Sequence, residues 1–206
     1  MVLTVIRWLN LLAFALPVLG SADRLVAIPT ATKIHTHTVR AEILGYPSRD
    51  TTLGWLGFGV HPLVDAELSF EARNSNRAVG SLNLGYYYLL PITDFAPGIA
   101  VGVHDVLNRT EDGRAAYLAV TYRIGNDGEL NQDVPTEVTL GVWSRDGGKL
   151  FIGASLPFAS EFRVFAEHNS IRPAGGFEFR PVPEAVFRMV FEGAGTGYSV
   201  SFSRRF

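Results

Sequence analysis

The C-terminal stretch Thr196-Gly-Tyr-Ser-Val-Ser-Phe-Ser-Arg-Arg-Phe206 decides the fold. Tyr198, Val200, Phe202 and Phe206 fall on one face, and Gly197, Ser199, Ser201 and Ser203 on the other. A period of two is the signature of a strand with one apolar and one polar face. The pattern repeats backwards along the chain. Phe187, Met189 and Phe191 oppose Arg188 and Glu192; Phe177 and Phe179 oppose Glu178 and Arg180; Phe162, Val164 and Ala166 oppose Arg163 and Glu167. Nearer the start, Ala66, Leu68 and Phe70 oppose Glu67, Ser69 and Glu71, and Val39, Ala41 and Ile43 oppose Arg40 and Glu42.

Counting such segments predicts about twelve strands, near 33–45, 52–61, 64–73, 79–90, 97–106, 114–125, 135–144, 148–157, 160–168, 174–181, 184–193 and 196–206. Most run to about 9–11 residues, the length of a tilted strand that crosses a bilayer. The connections alternate in kind. Pro-bearing turns (Pro62, Pro157, Pro181 and Pro183, with longer linkers after Pro91 and Asn126) alternate with polar Gly- or Asn-rich loops at 74–77, 108–113, 144–148 and 193–196. An up-and-down meander places one kind at each end of the sheet. Three hairpins, at 57–71, 153–167 and 176–192, share the order strand, Pro turn, strand ending in Glu.

Composition narrows the classes. The 206 residues carry 18 Lys and Arg against 20 Asp and Glu, a net charge of −2 that lacks the basic excess of a nucleic-acid binder. The absence of Cys excludes disulfides, a thiol nucleophile and a Cys-based metal site. Residues 1–22 read as an export signal: Arg7 is the only charge, 8–19 are largely apolar, and Gly20-Ser21-Ala22 offers small residues for cleavage before Asp23. The apolar run is too short for a spanning helix and contains Pro17. The expected architecture is therefore an all-β, antiparallel, up-and-down transmembrane barrel over 23–206, with an apolar exterior and a polar interior. Its environment would be the lipid of a bacterial outer membrane. Even strand number puts both termini and the Pro turns on the periplasmic side. The terminal Phe206 resembles the C-terminal assembly signal of bacterial outer-membrane barrels, which implies the barrel assembly machinery as a partner. Aromatic girdles are expected from Trp55, Tyr86 to Tyr88, Tyr117, Tyr122, Trp143 and Tyr198. Arg204 falls on the apolar face and is tolerable only near an interface, at a cost of roughly 0–1 kcal/mol. The alternative is a soluble exported β-sandwich that binds a ligand.

The polar face supplies a lumen charge network: Arg40, Glu42, Glu67, Glu71, Arg73, Arg123, Glu137, Arg163, Glu167, Glu178, Arg180, Arg188 and Glu192. Its near balance favours mutual pairing that fills a narrow lumen; a charged constriction selecting a small solute is the other reading. Catalysis has one candidate, a lipid hydrolase using His168 as base and Ser170 as nucleophile. On a strand they would lie about 7 Å apart, and no oxyanion donor accompanies them. His35 and His37, and His104 beside Asp105, lack the further ligands of a metal site, so no metal or cofactor is expected. The glycine-rich stretch at 193–197 has neither the Lys nor the following helix of a phosphate loop.

Ile28-Pro29-Thr30-Ala31 resembles the opening of YjbH-type outer-membrane proteins. Gly153-Ala-Ser-Leu-Pro157, Phe165-Ala-Glu167, Gly176-Phe-Glu-Phe-Arg-Pro181 and Gly197-Tyr-Ser-Val-Ser-Phe202 resemble the hairpins of the same family. The resemblance implies an outer-membrane barrel associated with exopolysaccharide production or export. It implies no catalytic residues.

Overall fold

The computed structural model describes residues 24–73, 78–125 and 134–206. The export signal read at 1–22, the loop at 74–77 and most of the linker after Asn126 lie outside the described residues. The rest forms a single closed barrel of twelve antiparallel strands. They are β1 (Thr38–Tyr46), β2 (Thr51–His61), β3 (Val64–Arg73), β4 (Val79–Leu89), β5 (Gly98–His104), β6 (Ala115–Ile124), β7 (Thr136–Trp143), β8 (Lys149–Pro157), β9 (Phe162–His168), β10 (Pro173–Val182), β11 (Ala185–Glu192) and β12 (Gly195–Arg205). Each strand pairs with its sequence neighbours, and β1 closes the ring on β12, from Thr38 opposite Arg205 to Gly45 opposite Tyr198. The connections that carry Pro62, Pro91, Pro157 and Pro183 gather at one end, here called the turn end, with the start of β1 and the end of β12, while Pro47 stands in the β1–β2 connection at the other end. The polar connections gather at the other, the loop end.

The dyad pattern sets which way each side chain points. Ile43, Leu68, Phe70, Leu140, Ile152, Phe177, Phe187, Tyr198 and Val200 are exposed on the outside. A continuous apolar exterior is suited to hydrocarbon and unsuited to water. This overturns the sandwich alternative: there is one closed sheet, and its apolar face points away from the interior. Among the described residues no helix is long and apolar enough to cross a membrane. Arg204 does lie on the outer face, at the turn end, stacked at 5.7 Å on Phe206.

Three expectations need correction. The first strand begins at Thr38, not at 33, because residues 24–34 run inside the barrel and 35–37 form the bend that leads out of it. His37 sits at φ 62, so His35 and His37 belong to the bend that leads out of the lumen and not to one strand face. The aromatic girdle is thinner than expected. Tyr86, Tyr88, Tyr122 and Tyr198 point outward, but Tyr87 and Trp143 are only 3 % and 8 % exposed, and with Trp55 and Tyr117 they face the lumen.

The interior is also not purely polar. Leu44, Tyr46, Trp143, Phe151, Phe165 and Val190 project inward and pack with Leu25 and Ile28 of the inner segment. Complete burial of a side chain such as Ile28 contributes about 1.5–3 kcal/mol. Two glycines make the room. A Cβ on Gly59 would strike the backbone of His35, and one on Gly153 would strike the δ-methyls of Leu25 and Ile28.

Phe177 lies mid-strand on the outer face of β10. Phe177→Arg should lower the unfolding free energy in phospholipid vesicles by roughly 2–4 kcal/mol, the cost of a cation at mid-depth. The wild type should migrate as a compact species on SDS gels until boiled. Equal stability of the variant in vesicles would show that this face does not meet hydrocarbon.

Candidate functional site: a lumen closed by the N-terminal segment

The sheet presents two chemically different walls to the inner segment. On the β1–β3 side, Glu42, Asp65 and Glu67 face inward. Lys33 pairs with Asp65 at 3.5 Å and donates to the His61 carbonyl at 3.1 Å, while the Ile34 N–H donates to Asp65 Oδ2 at 2.6 Å. Arg24 pairs with Glu42 at 2.9 Å and Glu67 at 3.4 Å. On the opposite side, both oxygens of Glu167 accept successive backbone N–H groups, from Val26 at 2.8 Å and Ala27 at 2.9 Å. Arg188 donates to the Leu25 carbonyl at 2.9 Å. Between the walls, the Ala31 N–H donates to Thr121 Oγ1 at 2.8 Å and Arg123 reaches Thr32 Oγ1 at 3.4 Å. Backbone groups without a strand partner must be satisfied by something when buried, and here polar residues of the barrel wall do it.

The thirteen charged residues read from the polar face divide into three groups. Deep in the lumen, Glu42 receives Arg40 at 2.6 Å and Arg188 at 3.3 Å, and Ser199 donates to it at 2.7 Å. Glu178 receives Arg188 at 2.9 Å and Arg180 at 3.0 Å, and lies opposite Arg163 in the register. Arg123 meets Glu137 at 2.8 Å. Nearer the loop end, Glu67 accepts from Asn83 at 2.9 Å, and Glu167 is given over to the segment. At the rim, Arg73 bonds Glu71 and reaches Glu111 at 3.4 Å, and Glu192 receives Arg49 at 3.2 Å and Arg172 at 3.4 Å. At the rim the Arg73 pairs are exposed and contribute little, while Arg49–Glu192 is half-buried; the deep pairs are buried, where removing one partner costs several kcal/mol.

Sequence reasoning passed over Arg24, Lys33 and Asp65. The first two lie in a stretch read as leader boundary and strand, with nothing local to mark a segment that folds inward. Lumen-facing Phe151, Phe165 and Val190 were also missed, although Leu150-Phe151-Ile152, Val164-Phe165-Ala166 and Met189-Val190-Phe191 break the alternation. A run apolar on both faces is what a strand buried on both sides shows.

Above the segment, the loop end holds a cavity of about 290 Å³. Its floor includes Arg24, Val26 and Pro29; Trp55, Tyr117 and Trp143 stand in its walls, and Thr110, Glu111 and Asp112 of the 105–114 loop overhang it. That loop is folded around Asp105, which accepts from the Thr110 N–H at 2.6 Å and the Thr110 hydroxyl at 2.7 Å. Burial alone would raise the Asp105 carboxyl, but these donors and the Arg109 N–H hold it below the usual carboxylate range.

The hydrolase candidates do not assemble. His168 is exposed at the loop end of β9, its Nδ1 accepts the Ser170 backbone N–H at 3.1 Å, and the Ser170 hydroxyl donates to the Leu150 carbonyl. The nitrogen nearest the serine is thus used by the main chain, and the hydroxyl points at a carbonyl. Among the described residues no group of three or more His, Cys, Asp or Glu side chains is placed to hold a metal ion.

No protein-family model matches the chain, and no curated protein matches it. Solved structures do. The chain is similar to the KdgM porin at 9 % identity and a TM-score of 0.56, over 82 % of this chain and 99 % of that one. It has the same fold. The KdgM porin in complex with disordered oligogalacturonate matches at 10 % identity and a TM-score of 0.55, over 82 % and 99 % of the two chains. At such identities the likeness is one of architecture: a twelve-stranded closed barrel.

The Glu167 carboxylate is the anchor of the 25–28 turn. Glu167→Ala should raise amide hydrogen exchange at Val26 and Ala27 by at least about tenfold, the loss expected for a charge-assisted bond to a backbone N–H. Ala31, held by Thr121, should change less. Uniform exchange across 24–34 in both proteins would show that Glu167 does not fix the segment.

Proposed function

We propose that this protein is a non-enzymatic barrel of the bacterial outer membrane, exported by the signal at 1–22, and a narrow solute channel whose lumen its own N-terminal segment closes. The observation that carries this reading is the placement of 24–34 inside a barrel with an apolar exterior. A closed barrel satisfies every strand backbone group and needs no partner to sit in lipid. Residues 24–34 are held to the wall by side-chain contacts, while the bend at His37 bonds the backbone of Gly59 and Phe206; 24–34 can therefore leave without opening the sheet. In this reading the charge network from Arg40 to Glu192 sets the polarity of the path. Phe206 serves as the assembly signal read by the barrel assembly machinery, and the loop end faces outward.

The solute class is a small polar molecule or saccharide. Two things support it: the fold shared with a porin whose solved complex contains oligogalacturonate, and the likeness of 28–31 and 151–206 to the exopolysaccharide-associated YjbH type. Ile28-Pro29-Thr30-Ala31, which carries part of that likeness, lies in the lumen-filling segment, with Ile28 and Ala31 fully buried.

Planar bilayers test the reading. The wild-type protein should conduct little. A variant lacking 24–34 downstream of the leader should conduct in steady steps while keeping its heat-modifiable mobility. Equal conductance of the two proteins would mean that the segment does not close the lumen.

A further inference from the structure

The guanidinium of Arg24 is buried against the barrel wall, which receives it as a ligand. Its Cζ stands 3.7 Å from the centre of the Trp55 ring. Its Nη2 donates to Glu42 Oε2 at 2.9 Å, and its Nη1 lies 3.4 Å from Glu67 Oε2. Glu42, Trp55 and Glu67 come from three consecutive strands, and Glu42 is the direct cross-strand neighbour of Trp55. The sheet register therefore sets their spacing whether or not the segment is in place.

The fit of Arg24 is incomplete. Its Nε and Nη1 are buried with no hydrogen-bond partner among the described residues. Its main chain is fixed beside it: the Leu25 carbonyl is held by Arg188 and the next two N–H groups by Glu167. The tether thus decides the angle at which the guanidinium arrives. A guanidinium free of the chain can turn to set a second N–H on Glu67 while keeping the ring contact, the planar, forked recognition at which guanidinium surpasses ammonium. An ammonium has less to offer, since it lacks the planar fork of donors and the flat face that stacks on the ring.

We propose that Glu42, Trp55 and Glu67 form a guanidinium-binding site in the lumen, occupied internally by Arg24, for which guanidinium-bearing solutes compete. The link to gating rests on the reading of 24–34 as the closure; the site itself does not. Because a tethered ligand acts at an effective concentration in the millimolar range, a free competitor works at millimolar levels or above.

The test is an emission titration of the folded, detergent-solubilised Arg24→Ala protein with ethylguanidinium. Expected is a saturable change in Trp55 emission at millimolar ligand, about tenfold weaker in the wild type, where Arg24 competes, and at least about tenfold weaker with ethylammonium. The response should vanish in Arg24→Ala/Trp55→Phe, where Trp143 remains as an internal control. No saturable response in the folded Arg24→Ala protein overturns the site, as does an unchanged response without Trp55 or an equal response to ethylammonium. Should Arg24→Ala fail to fold, the wild type decides: ethylguanidinium must change Trp55 emission and raise exchange at Val26 and Ala27, and the absence of either overturns the proposal. Loss of the closure reading in bilayers leaves this titration intact, so the two failures are distinguishable.

Discussion

Closure of the sheet on itself governs this structure. A sheet whose outer face is Phe, Leu, Ile and Val cannot leave an edge unpaired in hydrocarbon, where each orphan N–H or C=O costs several kcal/mol. The β1–β12 seam removes the edges. Everything else follows from closure: the outer face is committed to apolar side chains, and all polar and charged side chains of the strands must be dealt with in the lumen.

Most of the strand charges deep in the lumen are buried, and there they pair. Glu42 and Glu178 each gather more than one guanidinium, and Arg188 spans both. The inner segment completes the arrangement, bringing two cations, Arg24 and Lys33, to the acidic wall and its N–H and C=O groups to Glu167 and Arg188. Its Leu25 and Ile28 fill a gap between Phe151, Phe165 and Val190 that would otherwise be a void. Polar satisfaction and packing thus select the same occupant, which is why the segment lies inside although no strand pairs with it.

Most of the barrel was legible in the chain. Alternation at 196–206, 185–192 and 64–73 marks strands with one apolar face, and the two kinds of connection sort the ends. The strands located from the pattern match those observed to within a few residues, except at 33–37, where the Thr-Lys-Ile-His-Thr-His series resembles a strand but bends into the lumen at His37. Alternation also says which side chains share a face without saying where the partners of that face are. The pairing of Glu42 with Arg188 and Arg24, or of Glu192 with Arg49 and Arg172, depends on register across strands far apart in sequence.

By itself the sequence determined the strands and their two faces, because side-chain parity along a strand is a local property; the closing of those strands into one barrel and not a sandwich was settled by the β1–β12 pairing. Only the tertiary structure decided the state of the lumen. Whether residues 24–37 extend β1 or fold inward is not written in their own pattern. It depends on space left by Gly59 and Gly153, on two carboxylates that face the same volume from opposite walls, and on an aromatic ring at the right register, all long-range facts that exist only once the barrel is closed.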